Sequence, residues 1–235
     1  MASPTVQSIT PSTFGTDATS HLVSMPATVD AGDLLLMLFT ADGAPTITTP
    51  SGWSIVAAKT DRTSAVCAVI YGKDAAGTEG GTTVDVVTSA SEQAAAQVYR
   101  ITGWAGTLST DVVAGTPVAA VAADPNPPSV SWTWGTVDVL VIASEHHSAN
   151  DNASAGPTNY TNLTTTNTAT GFAGAAIGSA RRAMTAAASP EDPAAFTLVG
   201  NDHIANTVAI KGQVDTTIPR RATVVRQATQ RAAVR

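Results

Sequence analysis

The stretch Ala31-Gly-Asp-Leu-Leu-Leu-Met-Leu-Phe-Thr-Ala-Asp-Gly43 decides the fold. Leu34 to Phe39 is an unbroken apolar run between two Gly/Asp turn signals. Periodicity alone does not separate a buried strand from a buried helical turn, but length does. About six residues suits a strand and is short for a globular helix. The run reads as a strand buried on both faces.

Outward from it, strand-like stretches recur: Thr5–Thr10, Trp53–Ala58, Ser64–Tyr71, Thr82–Thr88, Ala94–Thr102, Ser129–Trp134, Val137–Ser144, Gly171–Arg181, Ala195–Val199 and Ile204–Lys211. Turn signals separate them: Asp42-Gly43, Ser51-Gly52, Gly77-Thr-Glu-Gly-Gly81, Thr102-Gly103, Asp124-Pro-Asn-Pro-Pro128 and Gly156-Pro157. Thr and Val within the runs and Pro between them favour strands. Helix evidence is thin. Ser91–Tyr99 opens with a possible helical turn, but Gln97–Thr102 alternates and reads as a strand. Pro190 and Pro193 cut off the Ala-rich Thr185–Ser189. Residues 148–170 are rich in Asn, Thr and Ser and read as a long exposed loop, with one short strand around Tyr160–Thr164. The expected fold is all-β: an antiparallel, jelly-roll-like β-sandwich spanning 1–213, followed by an extended or short helical arm over 214–235.

The chain has 235 residues, of which 43% are hydrophobic and 13% charged. The charged share is about half that of ordinary soluble domains, which suits a packed assembly component better than a free enzyme. Seven Lys/Arg face seventeen Asp/Glu from Met1 to Val214, and five Arg face one Asp from Asp215 to Arg235. An acidic body with a basic tail implies a separate partner for the tail. Arg220, Arg221, Val224, Val225, Arg226, Arg231 and Arg235 are the candidate partner-binding residues. The tail lacks the dense Lys/Arg block of a nucleic-acid arm, so an acidic protein face, even a copy of this body, is the better match. The N-terminus has no basic segment leading into an apolar stretch, so no signal peptide is expected. No apolar run of membrane-spanning length occurs, and no membrane partner is expected.

Chemistry-bearing residues are sparse. Glu145-His146-His147 and Asp202-His203 have the donors of a divalent metal site. Adjacent strand residues, however, point to opposite faces, and the spacing matches no zinc signature. Asp33, Asp42, Glu92, Asp111, Glu145 and Asp202 offer no spacing that singles out a glycosidase pair. There is no Gly-x-Ser-x-Gly elbow, and the lone Cys67 sits in an apolar run. Gly77–Gly81 lacks the Lys and helix of a phosphate loop and reads as a turn. No cofactor, metal or catalytic residue is expected. Trp132 and Trp134 lie two apart and would share a strand face. With Asn159 and Tyr160 they are the candidate glycan-binding residues; the competing reading makes the tryptophans caps on a sandwich core.

One pattern is recognisable as a whole. It runs Gly32-Asp-Leu-Leu-Leu36, Pro50-Ser-Gly-Trp53, a strand ending Ile70-Tyr-Gly-Lys73, a Gly-rich turn and Val98-Tyr-Arg-Ile-Thr-Gly-Trp104. Pro127-Pro128, Asp138-Val-Leu-Val-Ile-Ala143 and Thr207-Val-Ala-Ile-Lys-Gly212 complete it. Over residues 5–212 the chain resembles β-sandwich structural proteins of tailed bacteriophages and prophages, found on capsid surfaces, in head fibres or associated with tails. The resemblance implies a non-enzymatic virion component, made in the host cytoplasm, with other virion proteins and copies of itself as partners. It transfers no catalytic motif and does not extend to the arm.

Overall fold

A computed structural model describes residues 3–61, 66–121, 123–149, 151–168, 174–198 and 202–213. The arm expected over 214–235 lies outside the described residues.

The described chain is an all-β antiparallel sandwich. The strands are β1 (Thr5–Ser24), β2 (Leu34–Asp42), β3 (Ile47–Thr48), β4 (Ser54–Asp61), β5 (Val66–Asp74), β6 (Thr83–Thr102), β7 (Val112–Ala114), β8 (Val118–Ala120), β9 (Val137–His147), β10 (Thr161–Asn167), β11 (Ala176–Ala187) and β12 (His203–Lys211); one short helix, α1 (Leu108–Asp111), precedes β7. One sheet runs β1-β6-β2-β5-β4, with β3 also on β6. The other runs β10-β11-β9-β12-β7, with β8 also on β12. A jelly roll threads back and forth between its sheets; this chain completes one sheet before starting the other.

The greasy run behaves as its composition dictates. Leu34, Leu36 and Leu38 face the second sheet and meet Leu140, Ile142, Val208 and Ile210. Leu35, Met37 and Phe39 face outward, yet each is fully buried. Their cover is the far part of β1 and β6, which supplies Phe14, Val23, Val84 and Val86. The β1–β6 ribbon breaks register between Phe14 and Ser20, where bulges allow a bend. Strand β9 is likewise buried at every position. Its outward residues Val137, Val139 and Val141 lie under Val130 and Trp132, and Ala143 lies with Ala153 and Phe196. The central strand of each sheet is therefore covered on both faces.

Several details differ from expectation. Ser129–Trp134 and the described part of Ala195–Val199 are cover rather than strands, tied by isolated bridges Val130–Glu191 and Ala155–Thr197. The possible helical turn at Ser91 is continuous strand, because β1 and β2 pair with β6 from both sides and outweigh local propensity. Strand β10 starts where a short strand was expected but runs on to Asn167. Among the described residues no helix is long and apolar enough to cross a membrane.

Candidate functional site

Strand β9 splits Glu145-His146-His147 between its two faces. Ser144 and His146 point between the sheets, where the His146 ring Nε2 lies 3.1 Å from Ser144 Oγ. Glu145 and His147 point outward, beneath the loop that follows the strand. There His147 Nδ1 is 2.6 Å from Glu145 Oε2, and Nε2 is 3.0 Å from the Asp151 carbonyl oxygen. The Asp151 carbonyl can only accept, so Nε2 donates to it, and Nδ1 shares a proton with the Glu145 carboxyl in a buried acid–base pair. His203 sits directly opposite His147 on β12. Gly178 of β11 makes room, since a Cβ there would fall on Glu145 Oε1.

All four residues are sealed: Glu145, His146 and His147 are 0% exposed and His203 is 2% exposed. Burial, with the His147 charge added, pushes His146 down to about 3. Burial works against the His147 charge too, but the Glu145 carboxylate and the Asp151 carbonyl outweigh it and its pKa is raised. This arrangement clamps the loop after β9 onto the strand. Among the described residues no group of three or more His, Cys, Asp or Glu is placed to hold a metal ion.

The aromatic candidates do come together, on the outer face of the second sheet. Trp132 and Trp134 stack with centroids 5.8 Å apart and planes at 21°. Trp132 is buried, whereas Trp134 and Tyr160 are half-buried on the same cluster. The Trp134 indole donates to the Thr110 carbonyl at 2.8 Å, and the Tyr160 hydroxyl donates to Glu191 at 3.2 Å. Arg182 holds the same Glu191 oxygen at 2.7 Å. Asn159 is exposed with φ 69°, a conformation Asn tolerates. Trp53 and Trp104 are buried core caps, and the Trp104 indole donates to the Gly32 carbonyl at 2.8 Å.

The Gly-rich turn is an anion nest already filled by its own chain. Glu79 accepts from the backbone N–H groups of Ala76, Gly77 and Thr78 at 3.0–3.1 Å and from Lys73 at 3.1 Å. Burial opposes that charge, but these donors outweigh it and hold the carboxyl at about 2.

Asp33 is held by Arg100 at 2.6 Å, and Asp111 by Lys211 at 3.1 Å. Asp42 and Glu92 are pushed up, first by burial and then by neighbouring carboxylates, Asp17 acting on both. Burial pushes the Cys67 thiol up to about 12, which makes it an inert core residue.

Two features were not anticipated from the sequence. One is a buried polar chain joining the sheets. Tyr99 donates to Ser179 at 2.5 Å, Ser179 to Gln97 Oε1 at 2.5 Å, and the Gln97 amide to Thr166 at 3.1 Å. Gln97 breaking the apolar inward series Ala95–Tyr99–Ile101 was its only trace. The other is a groove of about 550 Å³ beside β4, β5 and α1. The arm candidates Arg220, Arg221, Val224, Val225, Arg226, Arg231 and Arg235 lie outside the described residues. Compared with protein-family models, with curated proteins and with solved structures, the chain matches none.

Proposed function

We propose that the protein is a non-enzymatic structural component of a tailed-phage virion, decorating the capsid or forming a head spike or fibre. It joins other virion proteins and copies of itself through its sheet edges and its basic arm. The observation that carries the reading is the double covering of the central strand in each sheet. A sandwich with β2 and β9 buried on both faces is a stiff block that leaves its edges for contact. The sequence resemblance and the acidic-body, basic-tail asymmetry support the same role. Chains lacking Thr216–Arg235 are expected to fold but to stay out of particles; normal incorporation of the truncated chain removes the arm from this role.

A second reading is host adhesion by a tail-tip or fibre module that binds glycan. Half-buried Trp134 and Tyr160 with exposed Asn159 on one outer face favour it. Binding on a glycan array that is lost in Trp134→Ala supports it, and no saccharide bound at millimolar concentration rejects it.

A further inference from the structure

Among the described residues the arginines Arg100 and Arg182 are taken. Arg100 holds Asp33 at 2.6 Å and Arg182 holds Glu191 at 2.7 Å. Half-buried Arg181 has neither an ion pair nor a side-chain hydrogen bond among the described residues. The register of β11 fixes which way it faces. Arg181 lies opposite Ile142 and Ala183 opposite Leu140, and both partners are on the face toward the first sheet. Arg181 therefore faces inward, while Arg182 faces outward to Glu191. Burial pushes the Tyr99 phenol up to about 12, against the Ser179 hydrogen bond and the Arg181 charge, so that charge is felt at the polar chain between the sheets.

Arg181 lines a groove of about 210 Å³ on the open side of the sandwich, between edge strands β1 and β10. Val6, Leu140 and Ala183 give the groove an apolar wall, and Thr5, Thr161 and Asn162 give it a polar rim. Among the described residues no Asp or Glu lines it. Strand β10 breaks register between Thr161 and Thr164, and there Asn162 takes φ 55°. The Asn162 amide donates one hydrogen to Thr161 at 3.2 Å, which leaves its second hydrogen for another acceptor.

These features select a ligand. A guanidinium partly out of water gains from a counter-charge, and its fork matches a carboxylate through two parallel hydrogen bonds. The apolar wall suits a carbon body, which a bare inorganic anion lacks. One cation suits one negative charge. Residues 1–214 carry seven Lys/Arg against seventeen Asp/Glu, a field that repels a second charge with no further cation to offset it. The groove is smaller than the roughly 300–1,000 Å³ of drug-sized sites, so the ligand is small.

We propose that this groove binds a small monocarboxylate, with its carboxylate on the Arg181 fork and its carbon body along Val6 and Leu140. A short aliphatic acid and a sugar acid share that chemistry. The site is separate from the Trp134 face and does not depend on a role in the virion.

The test is titration of the full chain with sodium butyrate and, separately, sodium glucuronate at millimolar concentration. Nitrogen–proton correlation spectra follow the Arg181 Nε–H and the Thr161 and Asn162 amides. These signals are expected to shift saturably, and the acid that saturates them at lower concentration identifies the source. Arg181→Gln should abolish the shifts, and Arg181→Lys, which keeps the charge without the fork, should weaken binding about tenfold. Lys59→Gln removes one positive charge from β4, at the far edge of the first sheet, and should leave binding unchanged. Unshifted β9 amides report that each variant is folded; if Arg181→Gln does not fold, Arg181→Lys carries the comparison. No saturable shift with either acid, an equal response to inorganic phosphate, or binding that survives Arg181→Gln overturns the proposal.

Discussion

At the residue scale, the two adjacent histidines oppose each other in pH. His146 has an ordinary value of 6.5 and a folded value of about 3. Between those values the unfolded chain takes up a proton that the fold refuses, so stability falls toward acid, by up to about 1.4 kcal/mol per pH unit. His147 is raised instead. Its contribution is complete below 6.5 and is lost as pH rises through the raised value. Chemical denaturation across pH should therefore trace a bell. His146→Gln should make the acid limb shallower, leaving the part owed to His21, which burial also lowers; His147→Gln should remove the alkaline limb. Glu79 acts lower down: its stabilisation is present above 4.5 and lost as pH falls toward 2. Glu79→Gln should cost about 2 kcal/mol at neutral pH, the scale of hydrogen bonds to a charge. Some of this was legible in the sequence. The i, i+1 rule already separated His146 from His147, and the missing Lys already denied the Gly-rich turn a phosphate. The raised His147 was not legible, because Asp151 meets His147 only after the loop folds back, and Gly178 makes its space from another strand.

At the element scale, the doubly buried strand has a distinct mutational signature. A half-buried strand alternates between sensitive and tolerant positions. In β2, Leu35→Ala and Leu36→Ala point to opposite faces and should both cost about 2–5 kcal/mol. By contrast Leu22→Ser, at a side chain 57% exposed, should change stability by about 0.5 kcal/mol or less. Equilibrium urea unfolding of the three variants checks this. That β2 needed two covers was plain from Leu34–Phe39. What supplied the outer cover was not, because residues 11–20 of β1 are polar and bulged, and Glu92-Gln-Ala-Ala-Ala96 of β6 favours a helix in isolation. Only pairing with distant strands holds them extended. Trp132 misled in the opposite way: its spacing from Trp134 suggested a strand face, but the residues are loop laid over β9.

At the scale of the whole molecule, every strand pairing among the described residues is antiparallel and many are remote in sequence. The β1–β6 ribbon joins Thr5 to Thr102 and Ser24 to Thr83. Loops this long must close before any pairing rewards them, so refolding should be slow, at about milliseconds to seconds or longer. Stopped-flow tryptophan fluorescence reads this, with buried Trp53 and Trp104 as probes. The Tyr99–Ser179–Gln97 chain links sheets made by different halves of the polypeptide, and it gives the two sheets one preferred register against each other.

The strand order has a consequence for how the molecule may be cut. Among the described residues the first sheet is finished at Thr102 and the second begins at Val112, so the described strands cross from one sheet to the other once. The molecule is a book whose two leaves share a single spine. Gly106 on that spine is exposed, at φ 99°, with nothing crowding it. A protease site inserted there should yield two fragments that stay clasped by their shared greasy face, and a foreign domain spliced there should leave both leaves closed.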